Sequence, residues 1–399
     1  MSAGLRAGYK QTEVGVIPDD WDVLPIAALT TEFRGGAPLK PSDFTTLGVK
    51  VLPKGGVGRT GVLRIADKDI QYCSIDYANA HPRNQVDKAY TIVVLRDLVP
   101  SGPSIGLMVE IGTDERFVLA QGVYGFKVDD EKADARYLIQ LSNTRWYRNL
   151  ANGIMVGSTQ VHITNTAYKK AELPVPPLPE QRAIASALSD VDALLGGLDS
   201  LITKKQGLKV AAMQQLLTSQ TRLPGFSGEW EVKRLGAMLT ICHGKNQREV
   251  EVSGGLYPIL ATGGQIGTAS RALYDKPSVL IGRKGTINQP RYMDTPFWTV
   301  DTLFYSIVKG DNDAKFLYYR FCSIDWMQYN EASGVPSLNA RTIENVEIAA
   351  PLPLEQTAIA AILSDMDTKL AALQARRSKT QALKQAMMQE LLTGRIRLV

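Results

Sequence analysis

The sequence has few of the residues that build disulfide frameworks and metal sites. Its three cysteines, Cys73, Cys242 and Cys322, are far apart and odd in number, unlike a disulfide framework or a paired metal knuckle. We expect them to be reduced and mostly buried. The three histidines are equally isolated, so no set of ligands with metal-site spacing can be assembled, and no metal is predicted in this chain.

Long apolar runs are also missing. No stretch approaches the roughly 20 apolar residues that a membrane helix needs, which argues against a membrane partner. The first residues, MSAGLRAGYKQTEVG, lack the apolar stretch and cleavage site of a secretory signal, so we expect a cytoplasmic protein. Charge of one sign is barely in excess: a net charge of +5 permits a polyanionic partner without indicating one.

What the chain has is length and an ordinary globular composition. Its 399 residues exceed one ordinary domain, and 44% of them are hydrophobic while 21% are charged. We therefore expect two or more hydrophobic cores.

One segment occurs twice. PLPEQRAIASALSDVDALLGGLDSL from Pro177 matches LPLEQTAIAAILSDMDTKLAALQAR from Leu352, so that Glu180 corresponds to Glu355. The same offset aligns MQQLLTSQTRL with MQELLTGRIRL further along, without a gap. A repeat of this kind predicts two copies of one structural unit.

The apolar residues of each copy step by four, three, four and three, which predicts a helix with a heptad-like seam that packs only against another helix. Each copy can run for about 40 residues, roughly 60 Å, which is the length of a spacer. The polar middles, 204–206 and 376–381, predict that the seam loosens or is solvated there. The seam residues are Ile184, Leu188, Val191, Leu195 and Leu198 in the first copy and Ile359, Leu363, Met366, Leu370 and Leu373 in the second.

Prolines precede both helices, and Glu180 and Glu355 fall in the first turns, where the helix dipole favours a negative charge. This glutamate and the following glutamine have either a functional role or the favoured role of stabilising the helix start.

A shorter correspondence places a Trp–acid–Val motif before each variable segment, at Trp21 and Trp230. We call this motif the lead-in. The chain therefore contains, in order, a lead-in, a variable segment and a long helix, followed by a second set of the same three parts. The boundary between the two halves is expected at 222–228, which contains Pro and Gly. The predicted domains are a globular domain at 1–172, a helix at 173–223, a second globular domain at 224–347 and a second helix at 348–399.

The two globular segments share little sequence, although their frame is the same. Short runs rich in Val, Ile, Thr and Tyr predict strands at 91–95, 278–282 and 302–308, and helices are expected at 133–150 and 314–329. A repeated frame with unlike contents is expected where the frame is architectural and the contents recognise two different things.

At this point the chain resembles type I restriction-modification specificity subunits. The resemblance covers essentially the whole chain and rests on the PPLPEQ and PLPLEQ repeat, on VLIGRKGTI followed by FWTVDTLFYSI, and on SGVPSLNARTIENVEIAAPLP. It implies an α+β fold with two target recognition domains, each followed by a long helix. The two helices would pack as an antiparallel coiled coil in a pseudo-twofold arrangement.

The resemblance also implies a function. Such a subunit is non-catalytic, recognises a bipartite and asymmetric site on double-stranded DNA, and directs partner subunits to it. The implied partners are methyltransferase subunits, in two copies, which bind S-adenosylmethionine and methylate adenine N6. Restriction subunits that use ATP and Mg are further possible partners.

Base reading requires Arg or Lys for guanine and Asn or Gln for adenine, while other basic groups grip phosphate. Glycine-containing loops that carry these residues are therefore the candidate DNA-binding sites, although any one residue could instead lie at a solvated hairpin tip. The candidates in the first segment are Lys54, Arg59, Arg64, Arg83, Asn84, Gln85, Gln121 and Gln160. Those in the second segment are Gln265, Arg271, Arg283, Lys284, Asn288, Gln289, Arg291, Ser337 and Asn339.

Two enzymatic alternatives fit poorly. KGGVGRT at 54–60 resembles a phosphate-binding loop, but Arg59 replaces the expected lysine and the following residues do not favour a helix. No NPPY-like or FxGxG motif for S-adenosylmethionine and no nuclease carboxylate cluster is evident, so the chain should be inactive alone. The remaining alternative is a coiled-coil scaffold or adaptor that does not read DNA, which explains the helices but not the two unlike segments.

Overall fold

A computed structural model describes residues 7–398 and divides into two compact units. Of the described residues, unit 1 contains 7–197 and 377–398, and unit 2 contains 198–376. The boundary between these compact units therefore falls inside both long helices. Residues 1–6, which belong to the segment considered for a secretory signal, lie outside the described residues.

Unit 1 contains short strands, four short α-helices, the first half of one long helix and the end of the other. Its strands are β1 (Tyr9–Thr12), β2 (Gly15–Pro18), β3 (Asp22–Pro25), β4 (Thr30–Gly35), β5 (Phe44–Thr45), β6 (Val49–Leu52), β7 (Gln71–Cys73), β8 (Gln85–Val86), β9 (Thr91–Val94), β10 (Arg96–Asp97), β11 (Met108–Glu110), β12 (Phe117–Leu119), β13 (Val123–Val128), β14 (Val161–His162) and β15 (Glu172–Val175). Its helices are α1 (Ile75–Ala80), α2 (Ala135–Ser142), α3 (Arg145–Gly153), α4 (Asn165–Lys170) and the start of α5 (Leu178–Leu217).

Two sheets form most of unit 1. An antiparallel sheet has the order β11-β9-β13-β4, and a mixed sheet has the order β5-β7-β6-β12-β8, with β6 and β12 parallel. A separate pair, β3 with β15, joins the Trp21 lead-in to the residues directly before α5. This pairing brings the two ends of the first variable segment together at the start of the long helix.

Unit 2 is built from fewer strands. They are β16 (Glu231–Arg234), β17 (Leu239–Cys242), β18 (Tyr257–Ala261), β19 (Gly264–Ala269), β20 (Ser278–Gly282), β21 (Arg291–Met293), β22 (Trp298–Thr299), β23 (Leu303–Val308) and β24 (Glu347–Ala350). Its helices are α6 (Leu235–Met238), α7 (Ala314–Ser323), α8 (Ala340–Asn345) and the start of α9 (Pro353–Leu391).

The sheets of unit 2 differ in order from those of unit 1. One is antiparallel with the order β17-β23-β20-β21, and the other has the order β19-β18-β22, with β18 and β22 parallel. The lead-in pairing recurs, however, because β16 pairs with β24 directly before α9, as β3 does with β15 before α5. The frame is repeated while the sheets are not.

The long helices pair within each unit. In unit 1, Glu180 at the start of α5 contacts Arg397, and Asp192 contacts Lys384 of α9. Residue numbers rise along α5 while they fall along its partner, which is antiparallel pairing, and unit 2 repeats it with the start of α9 and the end of α5. Both helices are continuous through their polar middles, so the predicted loosening does not interrupt the backbone.

Each core combines a globular segment with both helices. Ile184 and Leu188 are fully buried in a cluster that also contains Tyr137, Met388 and Leu391. The equivalent seam residues of unit 2 are buried with residues of α7 and with the end of α5. The prediction that the seam packs only against another helix is therefore wrong for its first turns, because the globular segment covers them as well.

The prediction of an α+β fold with two long helices is confirmed, with differences in detail. The helix predicted at 133–150 is two helices, because Thr144 is extended and its hydroxyl caps α3 by accepting from the Tyr147 amide. The helix predicted at 314–329 ends at Ser323 and is followed by a separate 3₁₀ turn. Only Cys73 of the free cysteines is buried, whereas Cys322 is exposed, contrary to expectation.

Within residues 7–398, no helix is both long and apolar enough to cross a membrane. The same residues contain no group of three or more His, Cys, Asp or Glu side chains that could hold a metal ion.

Candidate nucleic-acid interface

Three candidate stretches of unit 2 come together. The Arg291 guanidinium donates to the Thr262 carbonyl at 2.9 Å, and the Gly285 amide donates to the Pro336 carbonyl at 2.8 Å. Three stretches that are distant in sequence, one of which contains β19, thus lie next to one another. We call them the unit 2 loop cluster, residues 262–271, 283–291 and 336–339.

The candidates in this cluster divide into exposed side chains and side chains with internal partners. The amine of Lys284 and the amides of Asn288 and Gln289 lie on one exposed loop between β20 and β21. Arg283 instead forms an ion pair with Asp301. The exposed members are Gln265, Arg271, Lys284, Asn288 and Gln289.

Asn339 has a structural role that the sequence pattern did not indicate. Its side-chain oxygen caps α8 by accepting from the Thr342 amide at 2.8 Å, and its amide nitrogen donates to the Glu331 carboxylate. The Ser337 backbone amide donates to Asn330 at 2.9 Å. These two residues shape the cluster. Among the exposed members, the Gln265 amide donates to the Gly267 carbonyl at 3.2 Å, whereas Lys284, Asn288 and Gln289 are exposed to a ligand.

In unit 1, Lys54, Gln121 and Gln160 lie near one another around Gly122. Gly122 has φ +87°, and an added Cβ would lie 2.8 Å from the Arg96 side chain and 3.0 Å from that of Lys54, so glycine is required. Burial lowers the pKa of Lys54, and the charge of Arg96 lowers it further. Arg96, which donates to Gln160 at 3.2 Å, is a cation of this group that the sequence analysis missed.

Arg59 is exposed on the glycine-rich loop 54–60 that begins at Lys54, and Arg64 is exposed shortly after it. Directly after this loop the chain forms a β-bridge between Val62 and Glu110, and no α-helix begins there. A phosphate-binding loop requires a helix N-terminus at this point. The geometry therefore argues against nucleotide binding at 54–60 and leaves an exposed basic loop.

Of the remaining candidates of unit 1, Arg83 and Asn84 directly precede Gln85 in sequence, and Gln85 lines a separate cleft of about 330 Å³. Gln85 lines it together with Arg34 and Arg116, two further cations that the sequence analysis missed because they lie far from Gln85 in sequence. Asn84 donates to the Gly35 carbonyl at 2.7 Å, so this amide is occupied, whereas Arg83 is exposed. No described contact joins this cleft to the group around Gly122.

Arg34 is held in place by a charge pair on β4. Tyr90, Lys127 and Arg34 itself surround the Glu32 carboxylate and lower its pKa from 4.5 to about 2. The Arg34 guanidinium also lies 4.7 Å from the centre of the Tyr90 ring. The guanidinium is thereby oriented at the cleft, although part of its charge is neutralised.

The glutamates at the helix starts are buried and paired. Glu180 is fully buried and accepts from Arg397 at 2.6 and 2.8 Å and from the Trp21 indole at 3.0 Å. Glu355 accepts from Arg222 through two hydrogen bonds of 2.7 Å. A bidentate arginine–carboxylate pair fixes geometry as well as charge. These glutamates thus join each helix start to the residues after the other helix.

The following glutamines join each helix start to the globular segment. The Gln181 oxygen accepts from the Asp134 amide at 2.9 Å, and the Gln356 oxygen accepts from the Asp313 amide at 3.0 Å. Asp134 and Asp313 in turn cap α2 and α7. The Glu–Gln pair therefore anchors the frame, beyond its predicted effect on the helix dipole.

The chain is similar to a known protein family over most of its length. The family model described as type I restriction modification DNA specificity domain matches residues 65–204 and 227–382. The MjaVIII specificity subunit of Methanocaldococcus jannaschii is 26% identical over 216 residues, which is 54% of this chain but only 49% of that relative. A putative MjaX specificity subunit of the same organism is 23% identical across 98% of this chain and 96% of its own length.

Solved structures show the same fold. The type I restriction-modification S subunit from M. genitalium has a TM-score of 0.64 at 18% identity, covering 93% of this chain and 96% of that one. A chain from a study of complex assembly and conformational transition of the type I R-M system has a TM-score of 0.55 at 15% identity, covering 95% and 99%. At these identities the likeness concerns the fold alone.

Proposed function

Because this chain belongs to the family of type I restriction modification DNA specificity domains, we propose that it reads a bipartite, asymmetric site on double-stranded DNA. Each unit would contact one half-site. The observation that carries the proposal is the contrast between a frame that recurs at a constant offset and two recognition segments whose sheets and loops differ. Two different recognition segments, held by equivalent helices and strand pairs, are suited to two different half-sites.

The exposed side chains provide the required chemistry. Lys284, Asn288 and Gln289 in unit 2, and Arg59 and Arg64 in unit 1, carry the donors and acceptors that distinguish base edges in the major groove. Two readers on one duplex face must engage half-sites about one helical turn, near 34 Å, apart. The number of non-read base pairs between the half-sites would then depend on the two long helices, which both units share.

The proposed partners follow from the relatives, which are named specificity subunits of restriction enzymes. Methyltransferase subunits would bind S-adenosylmethionine and methylate adenine N6, and restriction subunits would supply ATP- and Mg-dependent steps. The repeated frame supports two methyltransferase copies, since it presents equivalent helix surfaces twice. The chain itself would be non-catalytic and act in the cytoplasm, so the purified protein alone should neither methylate nor cleave DNA.

Mapping methylated adenines in a host with and without this gene tests the proposal. We expect one bipartite motif to disappear in the deletion and to return on complementation. An unchanged methylome would instead favour the scaffold alternative, in which the chain pairs helices without reading DNA.

Replacing Lys284, Asn288 and Gln289 together by alanine tests where the reading occurs. We expect relaxed recognition of one half-site and at least about tenfold weaker binding by the complex, because each good base contact contributes ~1–3 kcal/mol. Lys369→Ala is a suitable control, since Lys369 is an exposed lysine of α9 paired with Asp365. Relaxation of both half-sites together would contradict modular reading.

A further inference from the structure

Each long helix carries an aspartate at the same place in the repeat. Asp192 of α5 corresponds to Asp367 of α9 under the offset that relates Glu180 to Glu355. In unit 1, the Lys384 ammonium donates to both Asp192 oxygens at 2.7 and 2.8 Å. In unit 2, the Lys209 ammonium pairs with Asp367, and the same offset relates Lys209 to Lys384. The ion pair therefore occurs once in each unit, always between the two helices.

Lys209 and Lys384 lie between the two helices, where an apolar side chain would cost less free energy to bury. The Lys384 side chain is only 9% exposed and that of Lys209 is 21% exposed. Removing an ammonium from water is costly unless a carboxylate meets it. A buried polar residue at one position of a helix pair is a known means of fixing the register, because every other register leaves the charge unpaired.

Each aspartate also accepts a hydrogen bond from its recognition segment. The Gln140 side chain of α2 donates to Asp192 at 2.9 Å, and the Tyr319 hydroxyl of α7 donates to Asp367 at 2.7 Å. The aspartate and the lysine are the same in both units, whereas the third partner differs. Each carboxylate thus joins three elements: its own helix, the other helix and the recognition segment.

We call the contact of each aspartate with its lysine and its globular segment the aspartate junction. The junction of unit 1, at Asp192, lies beside the exposed basic loop that contains Arg59. Gln140 and Asp192 line a cavity of about 200 Å³ together with Thr60 and Gly61, which directly follow Arg59. The Gln140 oxygen is buried and has no hydrogen-bond donor among the described residues, whereas the Tyr319 hydroxyl is paired. The junction of unit 1 is therefore the less completely satisfied of the two.

We propose that Asp192 and Asp367 are positioning residues that fix how each recognition segment sits on its part of the helix pair. They would thereby determine which number of base pairs between the half-sites the assembled complex accepts. The inference rests on the proposed function, since spacing has meaning only for a bipartite reader. It concerns spacing alone, because neither aspartate belongs to the loops proposed to contact bases.

The test uses the assembled methyltransferase complex, S-adenosylmethionine and a set of DNA duplexes. The duplexes carry both half-sites at the native spacing and at one base pair more or less. For Asp367→Asn we expect the ratio of methylation at altered to native spacing to rise about fivefold, the factor typical of one lost ion pair. Tyr319→Phe, which keeps the ion pair, should shift the ratio less.

Two further variants separate positioning from folding. Asp365→Asn removes the surface pair with Lys369 on the same helix and should leave the spacing ratio unchanged. The double change Asp192→Lys with Lys384→Asp re-forms the ion pair in reverse and should restore much of the native spacing preference that Asp192→Lys alone loses. A general loss of stability would lower methylation at every spacing equally.

An unchanged spacing ratio in Tyr319→Phe, Gln140→Met and Asp367→Asn, with normal complex assembly, would overturn the inference. So would a change in half-site identity. If the wild-type complex methylates no bipartite site at all, the proposed function fails and this inference fails with it. The wild-type control therefore distinguishes the two failures.

Discussion

Unit 1 and unit 2 share the elements that hold the globular segment on the long helices, but their globular segments differ. In both, an antiparallel strand pair carries the Trp lead-in, a Glu–Gln pair begins the long helix, and an arginine beyond the other helix closes the unit. Between these shared features, unit 1 has a five-stranded and a four-stranded sheet, whereas unit 2 has a four-stranded and a three-stranded sheet.

The contacts common to both units are those that a different globular segment would have to preserve. Gln181 and Gln356 both accept from backbone amides of the recognition segments, and Gln356 also donates to the Asn312 side chain at 3.1 Å. Besides the lysine, Asp192 accepts from the Gln140 amide and Asp367 from the Tyr319 phenol, so the second donor to the carboxylate differs between the units. Helix starts that bind backbone amides, and aspartates that accept from different side chains, can hold unlike domains without a change in the geometry of the helices.

The largest expected effect on stability comes from removing the arginine that pairs with the buried glutamate at the start of a long helix. Arg397→Met leaves the fully buried Glu180 without its ion-pair partner and should lower the free energy of unfolding of unit 1 by ~3 kcal/mol. Arg222→Met should do the same to unit 2 through Glu355. Hydrogen exchange resolved by unit measures both. Arg395→Met, an exposed neighbour, is the control, and equal loss of protection in both units from either variant would show that the units are not separate.

A smaller effect should separate the two lead-in tryptophans. The Trp21 indole donates to Glu180, whereas the buried Trp230 nitrogen has no acceptor among the described residues. Trp21→Phe should therefore cost ~1–3 kcal/mol for the lost donor to a buried carboxylate, in addition to the loss of volume. Trp230→Phe should cost less, since it removes an unpaired N–H. Urea unfolding compares them, and equal losses would show that packing alone sets both values.

The smallest effect should appear in acid. The pKa of Glu32 falls from 4.5 to about 2 in the folded chain, so its contribution is present above pH 4.5 and is lost as the pH falls towards 2. Glu32→Gln should flatten the pH dependence of unit 1 stability in this window and leave unit 2 unchanged. Parallel curves for the variant and the wild type would contradict the assignment.

Much of the frame was predictable because it is repeated. The constant offset between the two copies predicted both long helices, and the strand predicted at 278–282 agrees with β20. Other features depend on contacts between distant residues. Arg34 and Arg96 were missed because they join candidate residues only through the fold, and Thr144 interrupts a helix that local propensity favoured.

The sequence alone determined that two equivalent helices carry two unlike segments, because periodicity and repetition are properties of the chain itself. It could not determine that the boundary of each compact unit lies within the helices, or that Glu180 meets Arg397 and Asp192 meets Lys384. Those pairings arise from antiparallel packing, which brings residues from opposite ends of the chain into contact and leaves no local pattern from which to read them.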